Sequence, residues 1–251
     1  MRQGYDLGAV YAQEAQTERR HPTRCSLEWR CWFDARERGT ASLLAARSFT
    51  CFHPAMDTSV TTVVGDDLWA RLEALPETVK GEIIEGLLYT QPRGRFRHMR
   101  ATTFFARHLG GSFDYDADGP GGWWILCEPG IELPNSREVS PDLAGWRRST
   151  MPHPPEPTEP IVTVPDWVCE VLSPSNARYD RIVKLPFYAR VGVSWVWLVD
   201  TRDHTIQVME LVQGSWVTRA LCGDESSVAL PPFEAIEIPI GRVWLPHPST
   251  S

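Results

Sequence analysis

Glu170 stands inside an apolar run, "DWVCEVLSPS", that reads as a β-strand. A period of two puts Val168, Glu170 and Leu172 on one face. A carboxylate between apolar neighbours needs a cation, a metal ion or a proton. The alternative is that it sits at the strand's end and points to water. Asp142, in "SPDLAGW", follows a proline that imposes an extended entry, although Pro-Asp also starts turns. On adjacent strands the two carboxylates make a hard, oxygen-rich site suited to Mg²⁺. Lys184 lies four residues from both Asp180 and Tyr188, so the three line one helix face. Either Asp180 and Lys184 form a solvated ion pair, or the ammonium turns toward the carboxylates from the helix that follows their strand. Glu82 and Glu85, in "GEIIEGLLY", form a third acidic feature. Glu82 is expected to add a water-mediated metal contact, whereas Glu85-Gly86 reads as a turn.

The chain has two lysines, Lys80 and Lys184, against 23 arginines, so a lysine is a small set to interrogate. Arg178 and Arg181 flank the Lys184 segment and are candidates for phosphate contact. The one basic cluster is "RGRFRHMR", with Arg93, Arg95, Arg97, His98 and Arg100. It runs from a loop into a helix N-terminus, a place suited to anions. It reads either as a grip on a phosphate backbone or as an ordinary solvated stretch. Trp123 and Trp124 read as packing residues rather than a base-stacking platform.

The elements that must carry these residues alternate between helix and strand. Asp66 and Asp67 can cap a short helix bearing Leu68, Leu72 and Leu75. "GEIIEGLLYTQP" reads as two short strands bent at Gly86, and a helix is expected from about Arg97 to Leu109. "GGWWILCEPGIELP" and "REVSPDLAGW" are strand candidates, and the Pro-rich "MPHPPEPTEPIVTVP" is a surface connection. A helix over about Ala177–Arg190 separates the Glu170 strand from "GVSWVWLVD", a continuous apolar strand of the kind buried on both faces. "HTIQVMELV" and "SWVTRALC" form a terminal hairpin pair. The sum is a mixed α/β domain with a central sheet and a β-rich C-terminal end.

Composition bounds the rest. The 251 residues are 42% hydrophobic and 23% charged, which fits a globular protein rather than a disordered or coiled-coil one. No run of about 18 uncharged apolar residues occurs, so no membrane-spanning helix is expected. Six scattered cysteines without a CxxC pair suit a reducing cytoplasm and argue against structural zinc. Residues 1–55 have no sustained period and read as an N-terminal extension, disordered or translated from an early start codon, or else as a genuine accessory segment. Residues 56–251 then form one domain. That domain holds 17 basic and 26 acidic residues, a net charge of −9, so binding to nucleic acid must come from a local basic patch or through cations.

The order "EIIEGLLY", His98, "PDLAGW", "PDWVCEVLSPS", then Asp180, Lys184 and Tyr188, then "GVSWVWLVD" resembles the Uma-two family. That family belongs to the PD-(D/E)xK superfamily of restriction-endonuclease-like proteins. The resemblance spans about Asp66 to Glu210 and implies an α/β fold of the α+β type, a mixed sheet flanked by helices. It also implies a metal-dependent nuclease site using Mg²⁺, or Mn²⁺ in its place, on DNA. By the resemblance, the first-motif Asp falls on Asp142 and the second-motif acid on Glu170. The usual lysine position, two residues later, holds Leu172, and the resemblance moves the lysine to Lys184, as a group that orients water or stabilises charge. Pairing of two copies into a homodimer follows by analogy with double-strand cutters. Two other classes stay open: a non-cleaving nucleic-acid-binding or regulatory protein, and a carboxylate hydrolase of a non-nucleic substrate.

Overall fold

The computed structural model describes residues 61–63, 67–115 and 119–245. The expected extension over residues 1–55 lies outside the described residues. Two sheets carry the chain. Strands β2 (Val79–Ile84) and β3 (Leu87–Pro92) make a hairpin around Glu85 and Gly86, both with positive φ (51° and 75°). Such a two-residue turn matches the right-handed twist of its strands. With β1 (Thr61–Val63), β5 (Ile131–Leu133) and β6 (Ser136–Val139) they form a five-stranded antiparallel sheet in the order β1-β3-β2-β6-β5. A short helix, α1 (Leu68–Glu73), is capped by the Asp67 carboxylate, which accepts from Ala70 N.

The larger sheet is mixed. Its order is β11-β10-β9-β8-β7-β4, from β4 (Trp123–Cys127), β7 (Leu143–Arg147), β8 (Trp167–Leu172), β9 (Trp195–Asp200), β10 (Thr205–Val212) and β11 (Ser215–Cys222). Only β8 and β9 pair in parallel. The central sheet and the C-terminal hairpin therefore stand as expected. Each of the two strand candidates between residues 121 and 146 is instead divided between sheets. The first breaks at Glu128–Gly130, where Glu128 has φ 43°. The second breaks at Ser140–Asp142, where Pro141 has no N–H for a ladder. Glu128 N donates to Asp142 O at 3.1 Å, which ties the two crossings together. Asp142 thus lies at the seam between the sheets, just before β7 rather than within it.

Strand β8 is buried along its whole length. Its Trp167, Cys169 and Val171 face helix α2 (Phe96–Leu109), whose inward stripe is His98, Ala101, Phe105 and Leu109. Val168 and Leu172 face the other way, against Tyr179, Phe187 and Tyr188 of the β8–β9 crossover. The crossover, expected as one regular helix, has three parts: α3 (Ala177–Tyr179), a π-helical turn (Asp180–Lys184) and α4 (Leu185–Val191). Gly192, at φ 89°, ends α4 in the left-handed conformation that suits glycine. Among the described residues, no helix is long and apolar enough to cross a membrane.

Candidate active site

Four segments meet at the seam. Strand β2 brings Lys80 and Glu82, two residues apart and so on one face. The β6–β7 crossing brings Ser140 and Asp142. Strand β8 brings Glu170, and the crossover brings Lys184 and Tyr188. Because β8 and β9 are parallel, the connection must travel back over the sheet, and it lays Lys184 beside Glu170. Lys184 Nζ lies 2.6 Å from Glu170 Oε1 and 3.2 Å from Glu82 Oε1, and donates to Ser140 O at 3.2 Å. Tyr188 OH donates to Glu170 Oε1 at 2.6 Å. Glu82 Oε1 also accepts from Ser140 N at 2.8 Å, and its Oε2 accepts from Tyr179 OH at 3.2 Å and Gln91 Nε2 at 3.4 Å. Asp142 Oδ2 accepts from Val171 N at 2.7 Å and sits 3.0 Å from His98 Nε2. Lys80 Nζ is 3.7 Å from Asp142 Oδ1.

Glu82, Asp142, Glu170, Asp180 and Lys184 are each at most 3% exposed, so their charges interact across a poorly screened interior. Burial opposes the charge on Lys184, but Glu170, Glu82 and Asp180 outweigh it and hold the ammonium well above the ordinary lysine range. Burial pushes the Glu170 carboxyl up; Lys184 opposes this, while Asp142 and Glu82 add to it. Burial also acts to raise Asp142, yet the His98 hydrogen bond and the charges of Lys80, His98 and Lys184 bring it down to about 2. Burial, then the charge of Glu170, pushes Asp180 well above the usual carboxylate range. Neither Asp180 oxygen has a hydrogen-bond partner.

The structure therefore brings Asp142, Glu170, Lys184 and Glu82 together. It removes the reading of Glu170 as a solvent-facing strand end and of Asp180–Lys184 as a surface ion pair, since all three are buried. Glu82, expected as a water-mediated metal contact, has protein donors on both its oxygens and pairs with Lys184. His98 is not an outward phosphate contact; it heads the buried stripe of α2 and turns to Asp142. Arg95, Arg97 and Arg100 stay on the outer side of that first turn, with Arg100 donating to Arg242 O. Arg178 and Arg181 are exposed and make no hydrogen bond or ion pair with the cluster. Glu85 is exposed and pairs with Arg190 at 2.7 Å. Sequence reasoning named Lys80 as one of the two lysines but gave it no place in the site, and it missed Tyr179 and Gln91. The scarcity of lysine and the two-residue spacing of Lys80 and Glu82 were signals that could have placed Lys80 there.

Among the described residues, no three His, Cys, Asp or Glu side chains form a ready metal cage. Apart from those of Asp180, two carboxylate oxygens of the cluster remain without a hydrogen bond: Glu170 Oε2 and Asp142 Oδ1. One or two carboxylates completed by water and substrate oxygens is the ordinary donor set for Mg²⁺, so these residues fit that ion.

A family model, Uma2, described as "Putative restriction endonuclease", matches residues 69–241. Among solved structures, the chain is similar to the crystal structure of "a putative nuclease belonging to DUF820" from Anabaena variabilis. The likeness has a TM-score of 0.55 and 21% identity, and covers 70% of this chain and 96% of that one. At that identity it shows a shared fold. Comparison with curated proteins gives no match.

Proposed function

The chain belongs to the Uma2 family, and from that premise we propose that it is a divalent-cation-dependent nuclease hydrolysing phosphodiester bonds of DNA. The observation that carries the reading is the seam itself. Two buried carboxylates from separate segments, Asp142 and Glu170, each keep one oxygen without a hydrogen bond beside two lysines. Mg²⁺ or Mn²⁺ is the ion these oxygens suit, and Asp142 and Glu170 would hold it. A bound ion supplies a more acidic water and withdraws charge from the phosphate. The chain's own part is positioning. Val171 N–H and His98 fix the Asp142 carboxylate, and Tyr188 and Lys184 fix that of Glu170. His98 also ties the first turn of α2 to Asp142, and Arg95 and Arg97, on the outer side of that turn, are the residues assigned to a phosphate backbone. The free thiols Cys127, Cys169 and Cys222 support a reducing compartment, the cytoplasm.

The test is purified protein with plasmid and oligonucleotide DNA, in Mg²⁺, in Mn²⁺ and with chelator. Cleavage is expected only with the metal. Asp142→Asn and Glu170→Gln should each lower it by at least about 100-fold, the scale of one lost electrostatic contact to a transition state. Wild-type rates in either variant would remove that residue from the mechanism. A salt-dependent DNA complex without cleavage would select the non-cleaving alternative instead.

A further inference from the structure

We propose that Lys80, rather than Lys184, is the lysine that meets the scissile phosphate. The assignment rests on the nuclease reading above and names the residue that would touch its substrate. An ammonium has three N–H donors. Around Lys184 Nζ three protein oxygens already stand within 3.2 Å, from Glu170, Glu82 and Ser140. The side chain is 1% exposed, and the rings of Tyr179 and Tyr188 lie 5.9 Å from its nitrogen. No donor is left for a water or a phosphate. To reach one, Lys184 would have to leave two buried carboxylates uncompensated, which costs several kcal/mol.

Lys80 is placed differently. Its nitrogen makes two longer ion pairs, 3.5 Å to Glu128 and 3.7 Å to Asp142 Oδ1, and donates no hydrogen bond. Asp142 Oδ1 is also one of the two carboxylate oxygens left for a metal ion. Glu128 is half exposed at the rim, so a phosphate oxygen can take its place at little cost. Lys80 also lines an open cavity of about 430 Å³ between α1 and β2, whose other site member is Ser140. Lys184, Glu170 and Asp142 do not line that space. The substrate-facing cation is therefore on strand β2, and the crossover lysine clamps the carboxylates behind it. In the reaction a water oxygen bonds to phosphorus, one ester P–O bond breaks, and the departing oxygen takes a proton. Lys80 transfers no proton; it neutralises charge on a non-bridging phosphate oxygen.

The full chain and its Lys80→Met, Lys80→Arg and Lys184→Met variants decide the matter through three measurements. These are single-turnover cleavage in Mg²⁺, DNA affinity across a salt series in Ca²⁺, and thermal unfolding. Lys80→Met should keep the wild-type midpoint within a few degrees and lose about 100-fold in rate. Its log Kd against log salt slope should fall by about one, the signature of one lost phosphate contact. Lys80→Arg should restore the slope. Lys184→Met should lose thermal stability, and where it still folds its salt slope should equal that of wild type. Wild-type rate and slope in Lys80→Met would overturn the assignment and leave the nuclease reading intact. Wild-type protein inert toward DNA under all conditions would sink both.

Discussion

At the scale of single residues, the site is a balance of buried charge in which Glu82 has the most partners. Lys184, Ser140 N, Tyr179 and Gln91 all converge on its two oxygens. Glu82→Gln should cost about 3 kcal/mol, because it leaves Lys184 with one carboxylate in place of two. Differential scanning calorimetry would read this as a fall of roughly 5–10 °C. Asp142 predicts a pH effect of definite sign. Its folded value is about 2 against an ordinary 3.8. A depressed carboxylate stabilises the fold above its unfolded value, and that stabilisation is lost as pH falls from about 4 toward 2. Denaturant titrations of wild type and Asp142→Asn across this range should converge by about 2 kcal/mol. A constant difference between the two would show that the His98 and lysine contacts do not favour the ionised form.

At the scale of elements, legibility in the sequence divides between what alternation encodes and what only pairing decides. A period of two correctly set Val168, Glu170 and Leu172 on one face of β8, because side-chain direction is local to a strand. The apolar run of β9 and the four-residue spacing of Asp180, Lys184 and Tyr188 were legible for the same reason. That β2 lies against β6, and so delivers Lys80 and Glu82 to the seam, depends on contacts distant in the chain and left no local mark. Neither did the π turn, whose altered hydrogen bonding is made by residues with ordinary helical propensity. The position of Asp142 rests on β7 staying close to both neighbours. Gly145 permits this: an added Cβ would meet Ile125, Trp167 and Trp123 at 3.0–3.3 Å. Gly145→Ala should destabilise by about 1–3 kcal/mol through overpacking and slow cleavage as well. Unchanged chemical denaturation would mean that the two indoles can give way.

At the scale of the whole molecule, charge sets the terms on which DNA can approach. Residues 56–251 carry a net charge of −9, and the acidic cluster lies in the interior of that segment. Affinity for DNA should therefore be weak in chelator and rise with Ca²⁺ or Mg²⁺, which filter binding or anisotropy would detect. Equal affinity with and without the divalent ion would place DNA on the outer arginines, away from the seam. The parallel pairing of β8 and β9 has one more consequence. The counter-ion of Glu170 travels on the very segment that joins those two strands, so loosening that segment strips two anions of their partner at once. Amide protons of Asp180–Val191 should accordingly exchange with solvent about as slowly as those of β8, a behaviour more typical of a sheet interior than of a connection.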